Sequence, residues 1–255
     1  MRALLAAPLA ILIGWSLGAL GGGGSILALP VLVYAAGQEP RAASATSLIL
    51  VATSAAIALV PHARAGRIRR GAGLVFAAAG APLALVGGRL THDLDPDLLL
   101  LLFAPVMGTA AAAMLGARGA ARERGGERRI PGCLAVAIVG AFVGLLTGMF
   151  GVGGGFIIVP ALALALEVTV PFAIGTSLLV ILVNALVALT TRLQANTVEW
   201  HVVVPFVLAA LVGVAIGTRT SARLAPDRLR RGFAWLLAAV AVFTAVRSGA
   251  ELLAQ

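Results

Sequence analysis

Two stretches decide how this chain reads: GWSLGALGGGGSILALPVL at residues 14–32 and GLLTGMFGVGGGFIIVPAL at residues 144–162. Gly14, Gly18, Gly21, Gly23, Gly24 and Pro30 of the first recur, at one constant offset, as Gly144, Gly148, Gly151, Gly153, Gly154 and Pro160 of the second. The register holds further out. Ala43, Thr46, Ser47 and Leu48 return as Ala173, Thr176, Ser177 and Leu178, Gly87 and Arg89 as Gly217 and Arg219, and Pro96-Asp97 as Pro226-Asp227. Low complexity produces chance glycine matches, but not proline, Thr-Ser and Pro-Asp pairs in one register. The chain is therefore read as two copies of one unit.

Composition says where such copies live. Of 255 residues, 60 % are hydrophobic and 11 % charged, whereas a soluble domain carries about 25 % charged residues. So few charges could not cover the apolar surface of a soluble fold, which excludes a cytosolic enzyme, a disordered tail and a secreted disulfide scaffold. The net charge is +9, and every Lys-or-Arg position is arginine. These arginines cluster in short loops between apolar runs, as membrane topology requires, and no nucleic-acid motif accompanies them. One cysteine, Cys133, excludes an intrachain disulfide and a multi-cysteine metal site. Within its apolar run it reads as a small core residue.

Each copy holds five apolar segments, about 3–20, 25–36, 43–62, 72–90 and 97–116 in the first and about 132–150, 155–166, 173–191, 201–218 and 229–247 in the second. About 20 helical residues cross the hydrocarbon, so 25–36 and 155–166 are half-length. They follow the glycine clusters 21–24 and 151–155, where a helix should break because glycine costs about 1 kcal/mol relative to alanine. The Met1-Arg2 start before an apolar run resembles a secretory signal peptide. Its glycine spacing recurs at 140–155, however, so it is kept as part of the mature fold.

Loop charge orients the copies. Arg64, Arg67, Arg69 and Arg70 mark one loop as cytoplasmic, and Arg118, Arg122, Arg124, Arg128 and Arg129 mark the linker 117–130 likewise. The turn 91–97 between them has three Asp and no basic residue, and belongs outside. In the second copy the pattern is reversed: 192–200 holds only Arg192 and Glu199, while 221–231 holds Arg223, Arg228, Arg230 and Arg231. The expected fold is an all-α integral membrane protein of two inverted-topology repeats, each a Gly-tipped helical hairpin plus three transmembrane helices. Repeat 1 spans 1–116, the basic cytoplasmic linker 117–130 and repeat 2 spans 131–248, with both termini outside. A competing count of eight simple spans merges or ignores the short helices.

The chemistry concentrates at the breaks. Irregular backbone at membrane depth is tolerated only where it is buried or lines a wet cavity. The N–H groups that open the half-helices form a concave donor set carrying roughly half a positive charge, and glycine lets an anion approach them closely. The substrate-binding candidates are therefore Gly21, Gly22, Gly23, Gly24, Gly151, Gly153, Gly154 and Gly155. Ser25 joins them as the expected N-cap of its half-helix. Thr46, Ser47, Thr176 and Ser177 open the next spans; they either donate to the same anion or bond back to their own helix. Asn184 is the strongly polar side chain in the middle of its span, an anion ligand or interhelical glue. The pairs Gly14–Gly18 and Gly144–Gly148 read as helix packing instead.

No Asp or Glu falls inside a span, Glu167 at a half-helix end excepted, so a cation carrier or carboxylate relay lacks its usual groups. No metal site, cofactor or Walker motif is visible, and ATP is not expected to be used by this polypeptide. His92 and Asp97 sit in a solvated turn without a nucleophile. A hydrolase built on Ser25 with His62 as base lacks any G-x-S-x-G elbow, and the other copy has Gly155 in place of Ser25. His62 and His201 stand at span ends and read as interfacial.

The doubled signature, each copy followed by A-x-x-T-S or A-x-G-T-S (residues 43–47 and 173–177), resembles the sulfite exporter TauE/SafE family of membrane permeases over nearly the whole chain. The resemblance implies transport of sulfite or an organosulfonate across the bacterial cytoplasmic membrane, and no enzymatic activity. Ser25 against Gly155 and Gly22 against Val152 make the halves of the site inequivalent. The partners implied are a small anionic substrate and the lipid bilayer, with no nucleic acid; a homo-oligomer is neither required nor excluded. The leading reading is a secondary transporter working by alternating access, with H⁺ as the coupling ion if there is one. An anion channel, an intramembrane hydrolase and a membrane scaffold protein are the alternatives.

Overall fold

A computed structural model of the chain describes residues 7–22, 25–90, 96–116, 132–150, 155–165, 170–193 and 198–253. Among them the chain is helical, with no strand. The helices are α1 (Ala7–Leu20), α2 (Ser25–Pro30), α3 (Pro40–Arg64), α4 (Arg70–Leu90), α5 (Pro96–Gly116), α6 (Cys133–Phe150), α7 (Gly155–Pro160), α8 (Val170–Leu193), α9 (Trp200–Arg223) and α10 (Pro226–Leu253). The starts of α2 to α5 and those of α7 to α10 are related by the same offset as the sequence repeat. Pro96 and Pro226 each open a helix, where a missing N–H costs nothing and the fixed φ already suits the first turn.

The half-helices have a feature that periodicity alone does not reveal. After Pro30 and Pro160 the helix widens into π turns, Val31–Ala35 and Ala161–Ala165. In the first of these the Ala36 N–H donates to the Val31 carbonyl at 3.0 Å. Proline lacks the N–H that would bond the carbonyl four residues back, and the wider turns begin directly after it in both copies. Ser25–Ala35 is thus about 16 Å long, roughly half of the ~30 Å hydrocarbon core.

Four of the described helices are long and apolar enough to cross a membrane, over Ala45–Arg64, Arg70–Gly87, Pro171–Leu189 and Trp200–Arg223. Outer faces match that medium: Val204, Leu208, Val212 and Ile216 form an exposed apolar ridge along α9, one of the four, and Leu134, Ile138 and Phe142 another along the shorter apolar helix α6. Patches of this kind suit lipid rather than water.

Packing crosses between the copies. The most extensive interfaces join α4 to α6 and α1 to α9, followed by α5 with α10 and α3 with α8. Applying the repeat offset converts the first pair into the second and maps each of the other two onto itself. Glycine makes the first two interfaces close. Gly140 rests on the Phe76 backbone and Gly144 on that of Gly80; in the other copy Gly14 and Gly18 rest on Ala210 and Val214. Both series ascend together, so α6 runs with α4 and α1 with α9.

Chain length supplies the remaining directions. Five residues separate α3 from α4 and six separate α8 from α9, reaching at most ~22 and ~25 Å. That is too short to carry the chain back along a spanning helix, so both pairs are antiparallel. Gly73 of α4 packs on Thr176 and Leu179 of α8, while Gly175 of α8 packs on His62 and the Arg67 carbonyl at the end of α3. Hence α8 runs with α4 and against its own counterpart α3. It follows that α1 and α3 point the same way, and the segment Ser25–Ala35 between them must run back.

Candidate functional site

The first hairpin turns where its glycines begin. The Gly21 N–H closes the last turn of α1 on the Leu17 carbonyl at 3.0 Å. Gly21 has φ +78°, the left-handed geometry that ends helices and disfavours any side chain. A Cβ there would also stand 3.0 Å from both Ile174 Cγ2 and Ser177 Oγ at the start of α8. Gly22 then lies backbone to backbone against Gly155: a Cβ on Gly155 would come within 2.7 Å of Gly22 Cα and 2.9 Å of Ile181 Cδ1. The breaks of the two copies, distant in sequence, touch each other.

Ile174, Ser177 and Ile181 follow one another at three and four residues and form one stripe of α8. The next residue on that stripe is Asn184. Ser177 is buried, and its hydroxyl donates to the Ile174 carbonyl at 2.8 Å. Thr176 faces another way: it accepts the backbone N–H of Arg69 at 3.1 Å, on the side packed against α4. The Arg69 guanidinium lies 5.6 Å from the centre of the Phe172 ring, a cation–π contact. At the position equivalent to Arg69, Glu199 accepts from Gln38 Nε2 at 3.0 Å. Thr46 is buried and bonds back to the Ala42 carbonyl at 2.9 Å, and Ser47 is half-buried. Gly21, Gly22, Gly155 and Ser177 are therefore brought together, while Thr176 is turned toward α4. Gly23, Gly24, Gly151, Gly153 and Gly154, with Glu167, His92 and the linker 117–130, lie outside the described residues.

Three expectations need correcting. Ser25 is the first residue of α2 rather than its N-cap. Its N–H and its hydroxyl both donate to the Gly22 carbonyl, at 3.2 and 2.7 Å, so the hydroxyl proton secures the turn ahead of α2. Cys133 is exposed at the start of α6, not a core residue, because the first residue of that helix projects beyond its packed face. His62 stands at the end of its span but is turned inward, with Nδ1 3.0 Å from the Ala58 carbonyl and its Cβ beside Gly175; His201 is exposed.

Four buried polar atoms have no hydrogen-bond partner among the described residues: Gln38 Oε1, Ser54 Oγ, Thr147 Oγ1 and Asn184 Oδ1. Each such atom costs about 1–3 kcal/mol if nothing meets it. Ser54 is absent from the residues singled out by sequence, although the repeat offset applied to Asn184 lands on it. Among the described residues no three His, Cys, Asp or Glu side chains gather that could hold a metal ion.

An apolar, duplicated helix bundle with two glycine breaks in contact suits passage of a small solute through a membrane. Known proteins agree. A profile of the sulfite exporter TauE/SafE family matches residues 6–244. A probable membrane transporter protein of Xylella fastidiosa is 35 % identical, with 95 % of each chain covered. One from Methanocaldococcus jannaschii is 26 % identical, covering 94 % of this chain and 96 % of the relative. Another, YdhB of Bacillus subtilis, is 25 % identical over 90 % and 94 %. No solved structure is significantly similar. The chain belongs to the TauE/SafE sulfite exporter family of multi-pass membrane transporters.

Proposed function

We propose that this protein is a secondary transporter that moves a small sulfur-containing oxyanion, such as sulfite or an organosulfonate, across the bacterial cytoplasmic membrane by alternating access. The anion is held where the glycine breaks of the two copies meet, on backbone N–H groups at the starts of the half-helices Ser25–Ala35 and Gly155–Ala165. The observation that carries this reading is the contact of Gly22 with Gly155 beside the α8 stripe. Two backbones can approach so closely only because both residues lack a side chain.

Inverted topology is part of the proposal. It rests on the antiparallel course of α3 and α8 and on the opposite charge of matching loops, with the arginine-rich loops 64–70, 117–130 and 221–231 in the cytoplasm. Repeat 1 (1–116) and repeat 2 (131–248) are then two-fold partners about an axis in the membrane plane, and the site opens to each side in turn. The glycine-packed pairs α1 with α9 and α4 with α6 are natural rigid bodies for such a motion, since close backbone contact resists internal slip. Hydroxyl and amide groups, with backbone N–H, supply recognition without a buried full charge.

Radiolabelled sulfite counterflow in proteoliposomes tests the reading. Trans-stimulated uptake is the expected result. Uptake without trans-stimulation would mark an anion channel, and no sulfite-dependent flux would overturn the substrate assignment.

A further inference from the structure

Ser54 and Asn184 occupy the same place in the two copies, and both bury an oxygen that nothing meets among the described residues. Neither fact follows from the other. Several hydroxyls in these helices bond back to their own backbone, Ser16 to Ile13, Thr46 to Ala42, Ser177 to Ile174, and Thr53, next to Ser54, to Ile49, whereas the buried Thr147 hydroxyl of α6, like that of Ser54, has no partner among the described residues. Bonding back is the ordinary way for a serine or threonine in a helix to satisfy itself. Ser54, fully buried at 0 % exposure, does not use it.

Register places the pair. Gly175 meets His62 where α8 begins and α3 ends. Ser54 is eight residues before His62 and Asn184 nine residues after Gly175, so in this antiparallel pair the two lie level, each about 12–14 Å along its helix from that contact. Residues that are both equivalent and level mark the point where the two-fold relation between the copies passes between α3 and α8. Asn184 also follows Ile174, Ser177 and Ile181 on the stripe that touches Gly21 and Gly155, and Ser54 follows Ser47 and Val51 on the equivalent stripe of α3. Ile181 meets the break at Gly155, and Asn184 is one turn further along the same stripe.

We infer that Ser54 and Asn184 are a matched pair of uncharged side-chain ligands for the transported oxyanion, one from each copy, set beside the contact of Gly22 with Gly155. The assignment rests on the anion-transport reading above. A hydroxyl and an amide can exchange hydrogen bonds with a sulfur oxyanion, or with a water or proton it carries, at a depth where a fixed charge would be expensive. Left without substrate, both carry the cost of an unmet buried polar group; the Ser54 hydroxyl is relieved by donating to the anion, and Asn184 Oδ1, an acceptor, by a proton or water that the anion carries while the amide N–H donates. Interhelical glue fits less well, because glue needs a partner on the facing helix and neither oxygen has one among the described residues.

The sign of a stability change separates the two roles. The full-length protein, purified in detergent, is melted with and without sodium sulfite, and sulfite affinity is measured by titration. Ser54→Ala and Asn184→Ala are expected to leave the unliganded melting temperature unchanged or raised, because an unmet polar group is removed. Each should weaken sulfite binding about tenfold or more, the usual worth of a hydrogen bond to a charged group. Asn184→Ser, which gives the second copy the residue of the first, should retain binding within about threefold. A wild-type sulfite shift kept intact in both alanine variants overturns the pair while leaving the anion site in place. A fall in the unliganded melting temperature with sulfite affinity preserved marks the residues as packing groups and also overturns it. A wild-type protein that shows no shift overturns the anion reading itself, and the pair with it.

Discussion

Glycine performs two different tasks in this molecule, and setting them side by side separates fold from function. Along the interfaces of α4 with α6 and α1 with α9, Gly140, Gly144, Gly14 and Gly18 sit inside regular helices whose backbone hydrogen bonds are internal. Their contribution is an absence: with no side chain, two backbones pack in contact. At the breaks, Gly21 and Gly22 stand outside the helices, one at positive φ, against the opposite copy's break and beside polar groups. The first set holds two rigid pairs together, and the second brings the backbones of the two breaks into contact; the proposed function makes that second place the binding site. Adding a side chain should therefore damage stability in one place and binding in the other.

The largest effect is expected in the interfaces. Gly144→Val drives a branched side chain into the Gly80 backbone, which cannot yield as a flexible side chain would. Overpacking of this kind costs about 1–3 kcal/mol or more, so the variant should lose its monodisperse peak on size-exclusion chromatography or melt several degrees lower. Wild-type behaviour would remove the packing half of the comparison. Next comes the break: Gly23→Val and Gly153→Val are expected to give folded protein with near-native melting but no sulfite-induced stabilisation. If both variants bind sulfite normally, glycine at the breaks has no role in recognition.

Ser25→Ala should be milder than either. Its hydroxyl is committed to the Gly22 carbonyl, and a typical hydrogen bond is worth about 1 kcal/mol. A small drop in melting temperature with sulfite affinity held within about threefold is expected, consistent with Gly155 filling the equivalent position. A large loss of affinity with unchanged stability would instead make Ser25 an anion ligand. The smallest effect belongs to Cys133→Ser, since that thiol is exposed and free. The same cysteine reports topology: with linker 117–130 in the cytoplasm, a membrane-impermeant maleimide should label wild-type protein in inside-out vesicles but not in intact cells. Labelling in intact cells would contradict the cytoplasmic placement of the linker.

Much of this architecture is legible in the chain. The repeat offset sets the starts of α2 to α5 and α7 to α10, and the clusters at 21–24 and 151–155 mark the breaks. Helix positions are local, carried by composition and glycine content over a few turns. Partner choice is not local: nothing in α4 by itself says that it packs on α6 of the other copy, because that depends on how two whole repeats interlock. The π turns after Pro30 and Pro160 escape a periodicity count, since they change the hydrogen bonding of apolar residues without changing their hydropathy. Ser54 escapes for a related reason. In the run VATSAA at 51–56 it looks like an ordinary helical serine, and only the unbonded hydroxyl distinguishes it. Asn184 stands out because asparagine is conspicuous among apolar residues, whereas its counterpart is not. Cys133 misleads because an apolar neighbourhood in sequence does not say which face of a helix is packed.

The central claim is that the two glycine breaks meet to form one anion site. Its most direct test is a thermal-shift panel on the detergent-purified protein with sulfite, thiosulfate, sulfate, sulfoacetate and taurine, run on the wild type and on Gly23→Val and Gly153→Val. Binding to the folded state raises its stability by mass action, about 2.7 kcal/mol at a hundredfold excess over Kd. Selective stabilisation of the wild type by one sulfur anion, abolished by either valine, is the expected result. A flat panel, or a shift that survives both substitutions, would contradict it.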